Sequence, residues 1–245
     1  MLITSIDNER IKKYIKLKEK KYRDQTGEFI VEGSHLVLEA YKKGLIEELI
    51  LETEEVFPIP VNNIVYIPKE LISKISSVET PQMVMALCKK QKEQDDLGKK
   101  ILLVDDVQDP GNLGTIIRSA VAFNIDTVVL SQNTVDLYNP KTIRSTQGMF
   151  FHINILKRDL MEIIPELKKQ NIPLYGTLVE HGSDVRTLTK DDKKSFALVV
   201  GNEGNGVKRE ISEICDKNLY IEMTGSVESL NVGVATSILL YELGR

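Results

Sequence analysis

The sequence predicts an α/β protein in which a parallel-sheet domain follows a smaller α/β domain. Beyond residue 100, short runs of branched apolar residues alternate with helical segments, a pattern typical of a parallel sheet flanked by helices. Before residue 90, shorter helices and strands alternate. A polar stretch without apolar periodicity separates the two patterns, as a linker does. We therefore expect domains over residues 1–90 and 100–245, joined by a linker over residues 91–99.

The first domain carries the signals of short strands and helices. An apolar stripe that includes Ile11 and Tyr14 predicts a helix over residues 8–22. A second helix is expected after Gly33, with Ser34 as its N-cap. The other expected elements are strands at 28–31, 49–51, 64–67 and 84–87, and a helix at 68–75.

The second domain contains strand-like runs that are apolar throughout. They cover residues 101–104, 127–130, 173–175 and 197–200. Strands without polar alternation are buried on both faces, which predicts a parallel sheet covered by helices. In such sheets, ligands bind at the carboxyl ends of the strands, so we expect the functional residues to follow these runs.

Composition and charge exclude several classes of protein. The chain has 245 residues, 42% of them hydrophobic and 28% charged, as in an ordinary globular protein. A net charge of −4 argues against a purely electrostatic nucleic-acid binder, although phosphates respond to local charge. No signal peptide is visible, and no apolar run reaches the roughly 18 residues that a membrane span needs. We expect a cytoplasmic protein.

The cysteines and histidines predict no metal site. Cys88 and Cys215 are far apart and have no motif around them, which indicates free thiols in a reducing compartment. His35, His152 and His181 do not cluster with one another or with the cysteines.

A first polar turn follows the strand that ends at Val104. Pro110 and Gly111 form a turn, and Asn112 is placed to cap the helix that follows. Arg118 interrupts an otherwise apolar helical pattern. The alternative interpretation is that Asn112 is only a cap and that Arg118 is only a solvated or ion-paired helix residue.

A second turn contains Gly201, Gly204 and Gly206 after a buried strand. Glycines at such a point let a ligand approach the bare backbone. The order of the glycines is not that of a dinucleotide fingerprint, and the Gly-Lys-Ser/Thr of a P-loop is missing. Glu203 would repel a phosphate, so a cationic or neutral ligand suits this turn better.

A third segment follows a strand that ends near Ile221. A helix is expected to begin near Ser229 or Asn231, with Ser229 as the N-cap. The small residues on this helix, Gly233, Ala235, Thr236 and Ser237, permit close packing against another backbone. A helix that is merely docked on the sheet would show the same pattern.

Together the three segments resemble the signature motifs of the SpoU branch of the SPOUT methyltransferases. The matching residues are Asn112 with Arg118, residues 201–204, and residues 229–232, in the same order and strand context. The resemblance covers most of residues 101–243. Residues 1–95 resemble the L30e-like substrate-binding domain often found ahead of it, and residues 80–86 resemble the segment that closes that domain.

The resemblance implies a fold, a donor and an activity. It implies a deep trefoil knot in the second domain, S-adenosylmethionine bound inside it, and methyl transfer to a ribose 2′-hydroxyl of structured RNA. The donor contacts that it implies are Thr177, Gly201, Ile221 and Leu230. It also implies a homodimer with active sites near the interface.

Arg118 is the implied catalytic centre. The family is thought to use this arginine as a base, but a guanidinium keeps its proton in proteins. We expect Arg118 to grip the phosphate beside the target ribose and to stabilise negative charge on the 2′-oxygen. Asn112, Glu203, Ser229 and Asn231 would hold Arg118 and the donor in place.

A basic segment near the N-terminus is the expected RNA contact. Its cations are Arg10, Lys12, Lys13, Lys16, Lys20 and Arg23. Such contacts contribute affinity rather than sequence choice, and an ordinary solvated helix face would look the same. By analogy, the extra N-terminal domain favours ribosomal RNA, 23S above all, over transfer RNA.

Several alternatives remain open at this point. The same residues would also fit a transfer-RNA 2′-O-methyltransferase or a base-methylating relative. They would also fit a non-catalytic RNA-binding or ribosome-assembly factor of the same fold. The intact motif residues argue against the non-catalytic alternative. A nucleotide-dependent oxidoreductase is disfavoured because the dinucleotide fingerprint is missing.

Overall fold

The computed structural model describes residues 1–179, 182–225 and 228–244, which form two compact units. The first unit contains Met1–Lys92 and Asp136–Phe151, and the second contains Glu93–Val135 and His152–Arg245. Residues 136–151 therefore pack with the N-terminal residues, although they lie inside the stretch that the sequence assigns to the second domain. No helix within the described ranges is long and apolar enough to cross a membrane.

The helices and strands have the following bounds. The helices are α1 (Glu9–Lys16), α2 (Lys20–Thr26), α3 (Ser34–Lys42), α4 (Lys69–Ile75), α5 (Pro110–Ala122), α6 (Pro140–Thr146), α7 (Leu160–Lys169), α8 (Arg209–Ser212) and α9 (Val232–Leu243). The strands are β1 (Glu28–Glu32), β2 (Ile46–Glu52), β3 (Ile64–Ile67), β4 (Val84–Lys89), β5 (Lys100–Val104), β6 (Thr127–Leu130), β7 (Asn154–Lys157), β8 (Leu174–Thr177), β9 (Ser183–Asp184), β10 (Phe196–Val200) and β11 (Lys217–Tyr220).

The first unit is built on a mixed four-stranded sheet in the order β1-β4-β2-β3. β4 is antiparallel to both β1 and β2, whereas β2 and β3 are parallel. Ile11 and Tyr14 of α1 pack into one core with Ile50 and Met85 of the sheet. The four predicted strands are all present.

The helix predicted over residues 8–22 is wrong, because the structure contains two helices separated by residues 17–19. The side chain of Arg23 explains the break. Its Nη1 donates to the carbonyl oxygens of Leu17 (2.8 Å) and Lys18 (2.6 Å), which lie just beyond the end of α1. A buried guanidinium thus satisfies carbonyl groups that an uninterrupted helix would have bonded itself.

The predicted N-cap of α3 is also wrong. Ser34 is the first residue of the helix, and Gly33 is the N-cap, with φ of 100°. This positive φ favours glycine over any residue with a side chain. The backbone conformation therefore places the glycine at the cap and the serine inside the first turn.

The second unit contains a parallel seven-stranded sheet in the order β7-β6-β5-β10-β8-β11-β9. All residues of β6 and β10 are buried, as expected of strands covered on both faces. The predicted parallel-sheet α/β domain is thus confirmed. β7 and β9 were not predicted, because β7 carries Asn154 and Lys157 at its ends and β9 is two residues long.

The C-terminal helix returns to the early part of this unit. β11 lies beyond β8 in the sheet, yet α9 packs against α5, where Ser119 Oγ and Ser237 Oγ are 2.7 Å apart. Residues 221, 223 and 228–231, which lie between β11 and α9, line the same pocket as the residues that follow β8 and β10.

Candidate active site

The carboxyl ends of β8, β10 and β11 and the beginning of α9 surround one open pocket. Residues 177–179, 201–207, 219–221, 223, 228–232, 235 and 239 line it. Thr177, Gly201, Ile221 and Leu230, the four donor contacts expected from the sequence, are all among these residues. The structure thus brings together four positions that span more than fifty residues of sequence.

The glycine turn after β10 has a rigid backbone. Asn202 and Gly206 exchange two backbone hydrogen bonds of 3.0 and 2.9 Å, and the Asn202 side chain accepts from Gly204 N at 2.9 Å. A Cβ on Gly201 would lie 2.0 Å from the carbonyl carbon of Gly206, a distance no side chain tolerates. The turn can close in this way only because residue 201 is glycine.

Glu203 ties this turn to the loop before α5. Its carboxylate accepts hydrogen bonds from Gln108 N (3.1 Å), Asp109 N (3.0 Å) and Asn112 Nδ2 (2.9 Å). Partial burial alone would raise the pKa of Glu203, but these donors outweigh it and hold the pKa below its ordinary value. Glu203 is therefore a carboxylate at neutral pH.

Asn112 and Asn231 extend this network. Asn231 Nδ2 donates to Asn112 Oδ1 at 2.8 Å, so the side chain of Asn112 bridges Glu203 and Asn231. Asn231 Oδ1 accepts from Gly233 N (2.9 Å) and Val234 N (3.3 Å). One network thus joins the glycine turn, the start of α5 and the start of α9.

Two helix caps differ from the sequence-based prediction. Asp109, not Asn112, caps α5, and its Oδ1 accepts from Asn112 N at 2.9 Å. Asn231, not Ser229, caps α9. Because Asp109 takes over the capping role, the side chain of Asn112 is left to bond Glu203 and Asn231. Ser229 lies on the wall of the pocket.

Arg118 stands apart from the other expected catalytic residues. Its side chain is exposed on α5 and does not line the pocket of its own chain. Among the described residues that line the pocket there is no lysine, arginine or histidine, whereas Glu203 and Glu228 are both present. The pocket therefore suits a ligand that carries positive charge rather than a phosphate.

The sequence-based reasoning missed a polar cluster behind the pocket. Lys208 Nζ lies 3.2 Å from Asp105 Oδ1 and 2.9 Å from Asp106 Oδ2, while the Asp106 carbonyl accepts from Asn202 Nδ2 at 2.9 Å. Partial burial favours a higher pKa for Asp106, but hydrogen bonds from Ser131 and Lys208 hold it below its usual value. Two aspartates directly after a buried strand were the signal that could have revealed this cluster.

Most of the predicted RNA-contacting cations of the first unit are paired with carboxylates. The pairs are Arg10–Glu48 (3.6 Å), Lys12–Glu9 (3.5 Å), Lys13–Glu28 (2.7 Å) and Lys20–Asp24 (3.4 Å). Lys16 lies over the Tyr22 ring at 5.5 Å. Arg23 was wrongly placed on this surface, because it is only 3% exposed and its Nη2 lies 2.6 Å from Asp136.

The described residues hold no group of three histidine, cysteine or acidic side chains that could bind a metal ion. His181 lies outside the described residues.

Comparison with known proteins assigns the family. Residues 99–241 match the family model described as the SpoU rRNA Methylase family. The chain belongs to the SpoU rRNA methylase family. Residues 8–86 match the MRM3-like substrate binding domain, so this SpoU methylase carries a substrate-binding domain ahead of its catalytic domain.

Relatives of this SpoU methylase are similar over almost their whole length. The 23S rRNA (guanosine(2553)-2′-O)-methyltransferase RlmP of Bacillus subtilis is 41% identical over 98% of both chains. A TrmH-family RNA methyltransferase structure from Porphyromonas gingivalis is 31% identical with a TM-score of 0.87, over 98% of both chains. An AdoMet-bound rRNA methyltransferase from Sinorhizobium meliloti is 28% identical with a TM-score of 0.87, over 99% of this chain and 97% of the other.

These findings confirm the fold class, the family and the methyl donor inferred from the sequence. The chain is an S-adenosylmethionine-dependent RNA 2′-O-methyltransferase of the SPOUT fold. The pocket fits this donor, because its walls expose backbone of the glycine turn and carry carboxylates beside which a sulfonium is favoured.

Proposed function

We propose that this SpoU methylase modifies the ribose of a guanosine in 23S ribosomal RNA. The support for this substrate is the Bacillus subtilis relative, whose name specifies guanosine 2553 and which matches the chain from end to end. The observation that supports the site is the pocket, which collects Thr177, Gly201, Ile221 and Leu230 beside the Glu203–Asn112–Asn231 network.

We place the donor in this pocket. S-adenosylmethionine supplies an electrophilic methyl group on a sulfonium. Gly201 and the residues of its turn bind the donor through their backbone, while Thr177, Ile221 and Leu230 form the opposite walls. Glu203 and Glu228 add negative charge near the sulfonium. The network through Asn112 and Asn231 fixes the walls relative to each other, so the donor is held in one position.

Arg118 acts on the RNA. Its guanidinium binds the phosphate beside the target ribose in bidentate fashion and stabilises negative charge as it develops on the 2′-oxygen. A bond from the 2′-oxygen to the methyl carbon would replace the bond from sulfur, S-adenosylhomocysteine would be released, and the proton of the 2′-hydroxyl would pass to solvent. Ser229, at the exposed wall of the pocket, is placed to orient the ribose.

The active form is a homodimer in this proposal. One face of α9 carries three large apolar side chains that are 36–47% exposed: Val234, Ile238 and Tyr241. This is a large apolar stripe for a helix on a protein surface. Arg118 of one chain does not line that chain's own pocket. A second copy that covers the stripe and presents its Arg118 would complete the site.

The deciding experiment is transfer of radiolabelled methyl from S-adenosylmethionine to unmodified 23S rRNA, followed by nucleoside analysis. We expect 2′-O-methylguanosine in the wild-type reaction and none with Arg118→Ala. Total transfer RNA and 16S rRNA serve as competing substrates. Preferential methylation of transfer RNA would contradict the proposal that 23S rRNA is the substrate. Donor binding without methyl transfer to any RNA would contradict the proposed activity.

A further inference from the structure

The first unit contains a cleft that the sequence did not reveal. It lies between the α1–α2 junction, the loop after α4 and helix α6, all within this unit. Lys18, Arg23, Ser77 and Arg144 contribute its polar lining, together with Glu32. Two tyrosines, Tyr14 and Tyr138, also line it, and the other lining residues are apolar: Leu17, Ile30, Leu36, Ile75, Pro140 and Ile143. We call this feature the cationic cleft.

Arg23 contributes a buried positive charge to the lining of the cationic cleft. The side chain is 97% buried, and its two terminal nitrogens are bonded to Leu17 O, Lys18 O and Asp136 Oδ2. Its Nε has no hydrogen-bond partner among the residues that the structure describes. This nitrogen is buried as well as unbonded, so Arg23 adds positive charge to the cleft rather than a donor that a ligand at the cleft mouth could reach.

Two further cations of the cleft are not neutralised by carboxylates. Lys18 Nζ donates to the Lys74 carbonyl at 2.7 Å, and Arg144 Nη1 donates to Ser77 Oγ at 2.8 Å. Among the described residues, neither side chain forms an ion pair with a carboxylate, and the bonds that they make go to neutral oxygens. Partial burial lowers the pKa of Lys18, and Lys74 acts in the same direction against the opposing effect of Glu32.

Glu32, the carboxylate of the cleft, is engaged elsewhere. Its Oε1 accepts from Ser76 Oγ at 2.7 Å and from Gln82 N at 3.0 Å, so its charge holds the loop after α4. Asp136 is bonded to Arg23. Three cations therefore face a cleft whose carboxylates are already bonded, and the cleft has a surplus of donors.

We propose that the cationic cleft binds a backbone phosphate of the substrate RNA. This inference rests on the proposed function for the RNA itself. A phosphate offers several acceptor oxygens and a full negative charge, which match the remaining N–H donors of Arg144 and the Lys18 ammonium, while the buried charge of Arg23 adds to the attraction. The cleft overlaps the basic segment predicted from the sequence at Lys18 and Arg23 and adds Arg144 from α6, whereas Arg10, Lys13 and Lys20 of that segment already have carboxylate partners.

The test compares two cleft variants with a charge-matched control. Arg144→Gln and the double variant Lys18→Gln/Arg144→Gln remove cleft cations without touching the buried Arg23. Lys89→Gln removes one exposed cation of the same unit that is paired with Glu47. Binding of a fluorescent 23S rRNA fragment is followed by anisotropy over a series of KCl concentrations, alongside the Kd for S-adenosylmethionine and the thermal unfolding of each full-length protein.

We expect Arg144→Gln to bind RNA several-fold more weakly than wild type. The slope of log binding constant against log KCl concentration should decrease in magnitude by about 1, as the loss of one phosphate contact requires. The double variant should lose more, whereas Lys89→Gln and all the donor Kd values should match wild type. Cleft variants that bind RNA like Lys89→Gln would overturn the proposal. If inorganic phosphate stabilises wild type but RNA binding does not depend on Arg144, the cleft is a free-anion site and the proposal is wrong.

The outcome is separable from that of the proposed function. Wild-type protein that binds the 23S fragment through Arg144 but never methylates it would support the cleft and overturn the activity. Wild-type protein that methylates the fragment with unchanged KM in Arg144→Gln would support the activity and overturn the cleft.

Discussion

Asn231 Nδ2 donates a hydrogen bond of 2.8 Å to Asn112 Oδ1, across 119 residues of sequence. The same Asn112 side chain donates to Glu203, so one amide joins the start of α5 to both the glycine turn and the start of α9. Asn112→Ala removes both bonds. We expect the free energy of unfolding to fall by about 1 kcal/mol. We expect a larger effect on the rate of methyl transfer, because the hydrogen bonds that hold the pocket walls together are lost.

A double-mutant cycle with Asn231→Ala measures the coupling in urea unfolding. The two substitutions should be non-additive by about 0.5–3 kcal/mol, since they remove the same bond. Asn205→Ala is the control, because its side chain makes no hydrogen bond among the described residues. Strict additivity of Asn112→Ala and Asn231→Ala would show that the bond contributes nothing.

Gly201→Ala should weaken donor binding strongly. The added Cβ would lie 2.0 Å from the carbonyl carbon of Gly206, which belongs to backbone and cannot rotate away. We expect the Kd for S-adenosylmethionine, measured by calorimetry, to rise more than about tenfold as the turn is forced open. Gly204→Ala is the matched control in the same turn, because its nearest atom would be 3.6 Å away. Equal effects of the two substitutions would contradict the role assigned to Gly201.

Arg118→Lys should lose methyl transfer activity almost as completely as Arg118→Ala. Lysine keeps the charge but lacks the planar fork that binds a phosphate and a nearby oxygen together. We expect kcat to fall about a hundredfold or more in both variants. Because Arg118 does not line the pocket of its own chain, the donor Kd should stay unchanged. Near-normal turnover by Arg118→Lys would contradict the proposed role.

The low pKa of Glu203 should make the stability of the folded protein depend on pH. Hydrogen bonds hold its folded-state pKa below the ordinary value of 4.5, so its bonds stabilise the fold above that pH. The stabilisation is lost as the pH falls through the folded-state pKa, because the carboxyl group then binds a proton. Wild type should therefore be more stable than Glu203→Gln at pH 7, and the difference should shrink below pH 4.5.

Chemical unfolding of both proteins between pH 3 and pH 7 measures this difference. Glu213→Gln is the control, because its carboxylate is exposed and is paired locally with Arg209 on α8. A difference that grows on acidification would mean that Glu203 is protonated in the folded protein at neutral pH.

The sequence alone was sufficient for features that depend on local pattern. Uninterrupted apolar runs identify strands buried on both faces, so β5, β6, β8 and β10 were predicted nearly to the residue. The three polar turns were found because strands, glycines and caps leave short-range signals. Their order and spacing were enough to suggest the family, the fold class and the donor.

The tertiary structure decided which side chains meet and which are available. Asn112 was predicted to cap α5, but Asp109 is the cap, and the Asn112 side chain bonds Asn231 across most of the catalytic unit. Arg23 was counted as a surface cation because it follows a run of lysines, yet it is buried and holds two carbonyls and Asp136. Periodicity records how deeply a residue is buried on average, whereas its partners come from distant parts of the chain and leave no local pattern.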